Sequence, residues 1–360
     1  MRRFYQLSKT RWHSLLILST IVAAVPGCGK KGPANGQAPV LPKIATETLR
    51  LSCDSITLHG QYLAPSDWRL SSDTLFLLSP ANKDSILYAF ANDPLERIAS
   101  GSAIGGGTTE YRNPFLAGVG RNDPTLWVGD KQIGHLDQWR IDGSSFVLEN
   151  RYRIGGLKTP YDIIYGVEIL NDSVCLIKYD SGSELTLDIF DFTKNSVVRH
   201  HPMALRPELS DGVYMFYDFA LASRNDRIAW AYLFMDRIES HRFALSGLQP
   251  EWTIDGGTHR PDKQVTNGRI DELKICYTDL KCTDSLIYAL YQGCKTDEVR
   301  RVHSTVEVYD HSGKAQGHWN LGRPIRKIAI DETRRILYAL GSNSDVIYRY
   351  RMPELHASEN

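Results

Sequence analysis

Short apolar runs, rich in β-branched and aromatic residues, alternate with polar turns along most of the chain. The stretch from Ile275 to Asp310 shows the pattern, because polar segments separate three such runs at 275–280, 286–291 and 305–310. Runs of this length and composition predict antiparallel strands rather than helices. The sequence therefore predicts an all-β fold.

The same module recurs with a period near 50 residues. A period of this length with three or four short strands per unit is typical of a propeller blade. In a sixth unit Arg334 takes the place of a recurring turn aspartate, and we interpret these aspartates as turn formers that bond the following backbone N–H. The sequence predicts one six-bladed β-propeller of four-stranded antiparallel blades over residues 46–360. The five turn aspartates are Asp73, Asp123, Asp172, Asp226 and Asp284.

The first 27 residues have the pattern of a targeting segment. They contain Arg2, Arg3, Lys9 and Arg11, no acidic residue, and an apolar run at 15–24. This run is too short to span a bilayer, but it suits the apolar region of a secretory signal peptide. We therefore expect the mature protein to lack this segment.

The residues that follow predict a lipid anchor. The sequence Val-Pro-Gly-Cys at 25–28 resembles a bacterial lipobox. By this resemblance, cleavage follows Gly27 and Cys28 receives the lipid, so that acyl chains attach the protein to a membrane without a span. The alternative is an ordinary signal peptide followed by a cysteine. Residues 28–45 are rich in Gly, Pro and Ala and predict a flexible tether.

Charge excludes nucleic acid as a partner. The chain has 42 basic and 42 acidic residues, and four of the basic ones lie in 1–27, which leaves 38 on the mature chain. A protein that binds a phosphate backbone needs a basic patch, and this slightly acidic balance does not predict one.

Five cysteines follow the lipobox, so at least one is unpaired within the chain. An oxidising compartment permits disulfides, and the last three cysteines are close enough in sequence to form one pair. Free thiols that pack as small apolar side chains are the favoured interpretation. A cysteine-only zinc site is not predicted, because no Cys-x-x-Cys occurs. The five residues are Cys53, Cys175, Cys276, Cys282 and Cys294.

No recognised catalytic, cofactor or metal motif is present. The glycines at 105–107 are not followed by a helix or by Gly-Lys-Ser/Thr, so a connector is favoured over a phosphate cradle. The adjacent His200 and His201 face opposite sides of a strand and are not expected to bind one metal ion together. Propeller hydrolases and lactonases gather carboxylates around a divalent ion, but the sequence does not show that Asp162, Asp279 and Asp331 converge. An enzyme is therefore the less favoured class.

Aromatic residues divide into core and candidate contact positions. Tryptophans that alternate with apolar neighbours inside strands are expected between blades. The segments 200–217 and 255–270 break the repeat, and long irregular segments are often functional. Residues predicted to be exposed and to bind a partner are Tyr161, Tyr214, Phe216, Tyr217 and Trp252.

Together these features resemble a family. The lipobox, the six units, the Gly-rich loop that ends in Glu-Tyr-Arg-Asn-Pro at 110–114, and the run at 283–293 are similar to the TolB-like six-bladed propeller lipoproteins of Bacteroidota, also called BF3164-like. The loop departs from the family pattern, because Thr108 and Thr109 replace a Pro-Gly pair. The resemblance implies the fold and the lipid anchor, and it carries over no catalytic residue.

The resemblance also bears on location. In some Bacteroidota lipoproteins, acidic residues directly after the cysteine resemble a surface-export signal, whereas Lys30 and Lys31 stand there in this chain. We therefore expect a lipoprotein of the cell envelope, at the outer membrane and facing the periplasm rather than the cell surface.

Two functions follow as hypotheses. The first is an envelope lipoprotein whose propeller binds a protein, peptide or glycan, with no cofactor, metal or catalytic residue. The second is a divalent-metal-dependent hydrolase or lactonase on one face of the propeller.

Overall fold

The structure is a computed structural model, and it contains only strands, turns and irregular segments in its described part. The described residues are 38–44, 46–57, 65–71, 73–82, 84–92, 95–120, 125–154, 163–180, 185–203, 218–257, 273–342 and 346–355. Cys28 and the predicted signal segment lie outside them. Across these ranges there is no helix of the length and apolarity that a bilayer span requires.

Most strands belong to antiparallel sheets of four. The strands are β1 Val40–Pro42, β2 Thr48–Arg50, β3 Cys53–Thr57, β4 Asp67–Ser71, β5 Thr74–Leu78, β6 Leu87–Asn92, β7 Leu95–Gly101, β8 Ala103–Ile104, β9 Glu110–Tyr111, β10 Pro114–Val119, β11 Leu126–Asp130, β12 His135–Asp142, β13 Ser145–Arg153, β14 Ile163–Asn171, β15 Val174–Asp180, β16 Leu185–Asp191, β17 Ser196–Pro202, β18 Phe219–Arg224, β19 Arg227–Tyr232, β20 Arg237–Ala244, β21 Gly247–Asp255, β22 Lys274–Cys282, β23 Leu286–Lys295, β24 Thr305–Asp310, β25 Ala315–Asn320, β26 Ile325–Asp331, β27 Ile336–Gly341 and β28 Val346–Arg351.

These strands form six blades. Within the described residues the blades are β4–β7, β10–β13, β14–β17, β18–β21, β22–β25, and β26–β28 with β3. The first strand of each blade contacts the first strand of the next, and β26 contacts β4, so the ring is closed. The predicted all-β propeller is confirmed, and the strands of the 275–310 stretch are β22, β23 and β24.

The core lies between the blades. The in-strand tryptophans predicted to pack there are at most 3% exposed, which confirms that prediction. Large aromatic side chains supply much of the buried apolar area that stabilises such a ring. They are Trp68, Trp127, Trp139, Trp230 and Trp319.

The segment before the first blade, residues 38–57, is a strap across three blades. Strand β1 pairs in parallel with β21, β2 pairs in parallel with β25, and β3 pairs antiparallel with β28. Strand β3 thus supplies the fourth strand of the last blade, whose own part of the sequence has only three. Residues 40–42 fall within the stretch predicted to be a flexible tether, so the folded part of the chain begins before the predicted boundary at residue 46.

Lys43 fastens the strap between the fourth and fifth blades. Its Nζ lies 2.6 Å from Asp236 Oδ1, 2.7 Å from Glu307 Oε1 and 4.2 Å from the centre of the Tyr291 ring. Burial opposes the ammonium charge, but Glu307 and Asp236 outweigh it and raise the pKa of Lys43. Tyr277 Oη lies 2.9 Å from each of the two carboxylates. Lys43 of the strap therefore supplies one counter-charge that two carboxylates buried by the blades share.

The turn aspartates also join blades, a role the sequence did not predict. Asp284, in the fifth blade, accepts hydrogen bonds of 2.7 and 2.8 Å from Arg224 of the fourth. Asp73, in the first blade, accepts one from Arg334 of the sixth. Both aspartates lie in turns between strands, as predicted.

All five cysteines after the lipobox are free thiols, as favoured from the sequence. Cys175, Cys276 and Cys294 are buried. Burial raises the pKa of the Cys276 thiol to about 12, so it remains protonated and packs as a small apolar group.

Candidate functional site

The six innermost strands, β4, β10, β14, β18, β22 and β26, surround a central channel. We call the end at which these strands begin the N-face and the end at which they finish the C-face. A cavity of about 520 Å³ at the N-face is lined by residues of all six blades. A second cavity, of about 560 Å³, lies at the C-face around the turns that follow β4, β18, β22 and β26. Both volumes are in the range of ligand pockets.

The N-face cavity is lined by charged side chains. Five cations and four carboxylates come from the described residues of six different blades. Such a concentration of charge in a partly buried space is typical of a site rather than of a packing core. The cations are Arg69, Lys131, Lys178, Lys281 and Lys327, and the carboxylates are Asp67, Glu168, Asp218 and Asp279.

Four of these cations have carboxylate partners. Arg69 lies 3.1 Å from Asp67. Lys327 lies 3.6 Å from the same carboxylate. Burial, countered by Arg69 and Lys327, leaves the pKa of Asp67 lowered. This part of the cavity wall is therefore a buried ion-pair network.

The other two pairs are simpler. Lys281 lies 2.8 Å from Asp279, and the backbone N–H of Ile328 donates to the other oxygen of Asp279 at 2.8 Å. Lys178 lies 2.5 Å from Asp218. Because these contacts lie within the chain, they fix the charged side chains in place.

Glu168 and Lys131 differ from the paired groups. Glu168 accepts hydrogen bonds of 2.9 Å from the Ser223 N–H and hydroxyl on one oxygen, and burial raises its pKa despite nearby Arg69. Lys131 has no ion pair or hydrogen bond to its ammonium among the described residues, and its Nζ lies 6.0 Å from the centre of the Phe115 ring. Burial, with Lys178 nearby, lowers the pKa of Lys131. The cavity therefore contains one cation without a counter-charge.

The C-face mouth is different, because each of its charged side chains in the described part has a partner within the chain. Asp331 accepts hydrogen bonds from Arg334 at 2.9 Å and from Asn92 at 3.0 Å. Glu332 accepts them from Thr283 at 2.6 Å and Tyr288 at 3.1 Å. With the Arg224 and Asp73 pairs described above, these contacts hold neighbouring blades together.

Trp252 was predicted to be an exposed contact residue, and the structure corrects this prediction. It lies in β21, is 3% exposed, and donates a hydrogen bond from Nε1 to the His311 carbonyl at 3.0 Å. Strap residue Leu41 and Gly313 cover it so closely that a Cβ on Gly313 would lie 3.0 Å from the indole. Trp252 stands in a strand that pairs with β1 rather than in a loop, so the indole is unavailable to a partner.

The other predicted contact residues lie outside the described residues. Tyr161 belongs to the connection that leads into β14. Tyr214, Phe216 and Tyr217 belong to the connection that leads into β18. Their role stays a prediction.

The Gly-rich loop binds a carboxylate of its own chain. Gly107 donates its backbone N–H to Glu110 Oε2 at 2.6 Å, and a Cβ on Gly105 would lie 2.0 Å from the same oxygen. Arg151 holds the loop at the Thr108 carbonyl and pairs with the buried Asp137 at 2.7 Å. The loop is a structural connector, and Glu110 occupies the space that a phosphate would need.

No group of three His, Cys, Asp or Glu side chains in the described ranges is arranged to bind a metal ion. Asp279 lines the N-face cavity and Asp331 lines the C-face cavity, so these two carboxylates do not converge. Asp162 lies outside the described residues. His200 pairs with Asp188 at 3.0 Å, while His201 faces His241, as expected for adjacent positions on a strand.

Sequence reasoning did not find the lining of the N-face cavity. Arg69, Glu168 and Lys281 stand in strands where polar residues alternate with apolar ones, a pattern that equally predicts solvated positions. One feature of the sequence could have predicted this lining, because several of the strands that come first in their blades carry a charged residue. Charges on the innermost strand of a propeller face the channel rather than bulk solvent.

Comparisons with known proteins support the fold. No protein-family model matches the chain, and no curated protein matches it. Among solved structures, the chain is similar to a member of the DUF4221 family from Bacteroides vulgatus, with 12% identity and a TM-score of 0.56 over 85% of this chain and 97% of that one. An exported protein from Bacteroides fragilis is similar at 11% identity and a TM-score of 0.52, over 88% of this chain and 100% of that one.

A third similar structure is Raptor from Chaetomium thermophilum, with 11% identity and a TM-score of 0.52. The match covers 85% of this chain but only 29% of Raptor. At these identities the likeness shows the fold alone. The chain therefore has a β-propeller fold, with six blades in its described residues, and membership in the BF3164-like family stays a prediction.

Proposed function

We propose that this protein is a lipid-anchored envelope protein whose propeller binds a partner at the N-face mouth of its channel. The observation that supports this proposal is the cavity of about 520 Å³, which all six blades line with charged groups. Binding sites are typically concave, few per protein, and built from a small number of convergent polar groups. The connections that contain Tyr161, Tyr214, Phe216 and Tyr217 lead into the strands that line this cavity, and connections on a rigid scaffold commonly carry function. The partner is a protein, peptide or glycan of the envelope.

The anchor is the second part of the proposal. A signal segment over 1–27 and a lipobox that ends at Cys28 support attachment through acyl chains. Lys30 and Lys31 favour the periplasmic side of the outer membrane. Replacing the lipid acceptor, Cys28→Ser, should move the protein from the membrane fraction to the soluble fraction. Retention of this variant in membranes would contradict the lipid anchor.

A metal-dependent hydrolase or lactonase is the alternative from the sequence, and no arrangement of the described residues favours it. The N-face carboxylates are engaged with lysines, Arg69, Ser223 or backbone N–H groups. The binding function is therefore the better supported.

The face that binds can be tested with two matched variants. Ile133, 41% exposed in the turn after β11, lies at the N-face beside Lys131, and Leu245, 69% exposed in the turn after β20, lies at the C-face. The full chain is incubated with native envelopes, crosslinked and recovered. We expect Ile133→Glu to reduce recovery of a specific partner strongly, and Leu245→Glu to leave it unchanged.

Two outcomes would contradict the proposal. One is equal loss of the partner in both variants, or loss only in Leu245→Glu. The other is the absence of any specific partner together with clear turnover in a hydrolase and lactonase screen.

A further inference from the structure

Lys131 is the cation of the N-face cavity that lacks a counter-charge. It follows β11 directly, in the turn 131–134, and its backbone N–H donates to the Asn113 carbonyl at 3.0 Å. The turn is fixed by Asp130, which is 0% exposed and accepts four backbone N–H bonds, two from residues 112–113 before β10 and two from residues 132–133 after β11. Lys131 is thus held at the cavity wall by a rigid backbone.

The surroundings of Lys131 do not neutralise it. Besides burial, Lys178 and Lys327 lower the pKa of Lys131 while Asp218 and Asp67 raise it, and neither of these carboxylates forms an ion pair with the ammonium. Both of these carboxylates are engaged with other cations, Asp218 with Lys178 and Asp67 with Arg69. No acidic side chain in the described part of the chain forms an ion pair with Lys131, and Glu168 in the same cavity accepts its hydrogen bonds from Ser223.

An uncompensated, half-buried ammonium is unfavourable in the empty cavity, because burial removes water without supplying a counter-charge. An incoming anion reverses this penalty. It would pair with Lys131, whereas Lys178 and Lys327 are already balanced by their own carboxylates. The aromatic ring of Phe115 beside Lys131 excludes water on one side and strengthens such a pair.

We propose that Lys131 binds an acidic group of the ligand, a carboxylate or a phosphate, inside the N-face cavity. This inference rests on the proposed function and adds the chemical class of the ligand. Carboxylate and phosphate share the charge and the acceptor oxygens that an ammonium recognises. Lys131 is then the residue that selects an acidic ligand over a neutral one.

The test uses lysine acylation as a local reporter of occupancy. The full chain, purified in detergent, is treated briefly with acetic anhydride in rising concentrations of inorganic phosphate or succinate, and chloride keeps the ionic strength constant. Mass spectrometry gives the acylation rate of Lys131. Lys194, 65% exposed, is the internal control. We expect the rate at Lys131 to fall about threefold once the probe exceeds its Kd twofold, with no change at Lys194.

The two probes distinguish a ligand that carries a phosphate from one that carries a carboxylate. Protection by phosphate alone identifies a phosphate ester as the ligand class, and protection by succinate alone identifies a carboxylate. The proposal would be overturned if each probe changed the acylation rates of Lys131 and Lys194 by the same factor, including no change at either residue. Succinamide, which is neutral, should protect neither residue.

A variant distinguishes failure of this inference from failure of the proposed function. Lys131→Gln should lower recovery of the envelope partner several-fold, and Lys131→Arg should restore most of it. If wild type and Lys131→Gln recover the partner equally, and only Ile133→Glu loses it, the N-face binds a ligand without an acidic group at Lys131. If wild type itself recovers no partner, the proposed function fails. A melting temperature for Lys131→Gln equal to that of wild type shows that the variant is folded.

Discussion

Charged side chains line both mouths of the channel, but the two mouths use them differently. At the C-face, Arg224, Arg334, Asp331 and Glu332 each bond to a neighbour within the chain, in most cases across a blade boundary. At the N-face, Lys131 has no such partner among the described residues, and burial raises the pKa of Glu168. Charges that are fully paired hold the ring together, whereas charges that are left unpaired or poorly solvated reduce stability and mark a site. Lys43 of the strap is one of the paired charges that stabilise the ring, because it lies between the buried carboxylates of Asp236 and Glu307.

The largest loss of stability is expected where one partner of a buried ion pair is removed. Lys43→Met should lower the free energy of unfolding by about 3–5 kcal/mol, because Asp236 and Glu307 lose their counter-charge. Chemical denaturation measures the change. The control is Lys194→Met, whose exposed pair with Asp191 should cost under about 1 kcal/mol. Adding Glu307→Gln to Lys43→Met should recover part of the loss, and no recovery would argue against a charge-balancing role.

A smaller loss is expected at the C-face. Asp331→Asn removes charge-assisted hydrogen bonds to Arg334 and should cost about 1–3 kcal/mol. The exposed Asp54→Asn is the matched control, with a change within about 0.5 kcal/mol. Equal effects of the two substitutions would remove the distinction between the mouths.

Glu168→Gln at the N-face should stabilise the protein rather than destabilise it. The folded-state pKa of Glu168 is raised by burial, so between its ordinary pKa and the folded pKa the folded state binds more protons than the unfolded state. Stability contributed by this group is therefore lost as pH rises through that window. The variant should melt at a higher temperature than wild type at neutral pH, and the gain should vanish below about pH 4.5. A lower melting temperature at neutral pH would place Glu168 among the stabilising charges.

The smallest effect is expected for the exposed pair between Arg224 and Asp284. A double-mutant cycle with Arg224→Gln and Asp284→Asn should give a coupling of about 0.2–1 kcal/mol that decreases with added salt, because both side chains are partly solvated. A coupling that is larger and independent of salt would show that the C-face mouth is less exposed than the structure indicates.

The repeat could be predicted from sequence because each blade forms local hairpins, and strand pairs such as β22 and β23 carry their pattern within about twenty residues. Ring closure could not be predicted, because β3 pairs with β28 across nearly the whole chain. Its sequence, Cys-Asp-Ser-Ile-Thr, has only one large apolar residue. The covering of Trp252 was missed for the same reason, since β1 lies about 210 residues earlier in sequence.

The site was less predictable than the fold. A lysine in a polar turn, such as Lys131, has the same sequence signature whether it faces solvent or a cavity. Only the ring places Lys131 beside Lys178 and Lys327, which come from other blades. Cys28, Tyr161, Tyr214, Phe216 and Tyr217 stay predictions.

The most direct measurement of the central claim is photo-crosslinking in native envelopes from one residue at each face. A benzophenone side chain is incorporated at Ile133 or at Leu245 of the full, lipid-anchored chain, and adducts are counted after illumination. Binding of the partner at the N-face predicts a discrete adduct from Ile133 and none from Leu245. A discrete adduct from Leu245 alone would contradict it and assign the partner to the C-face.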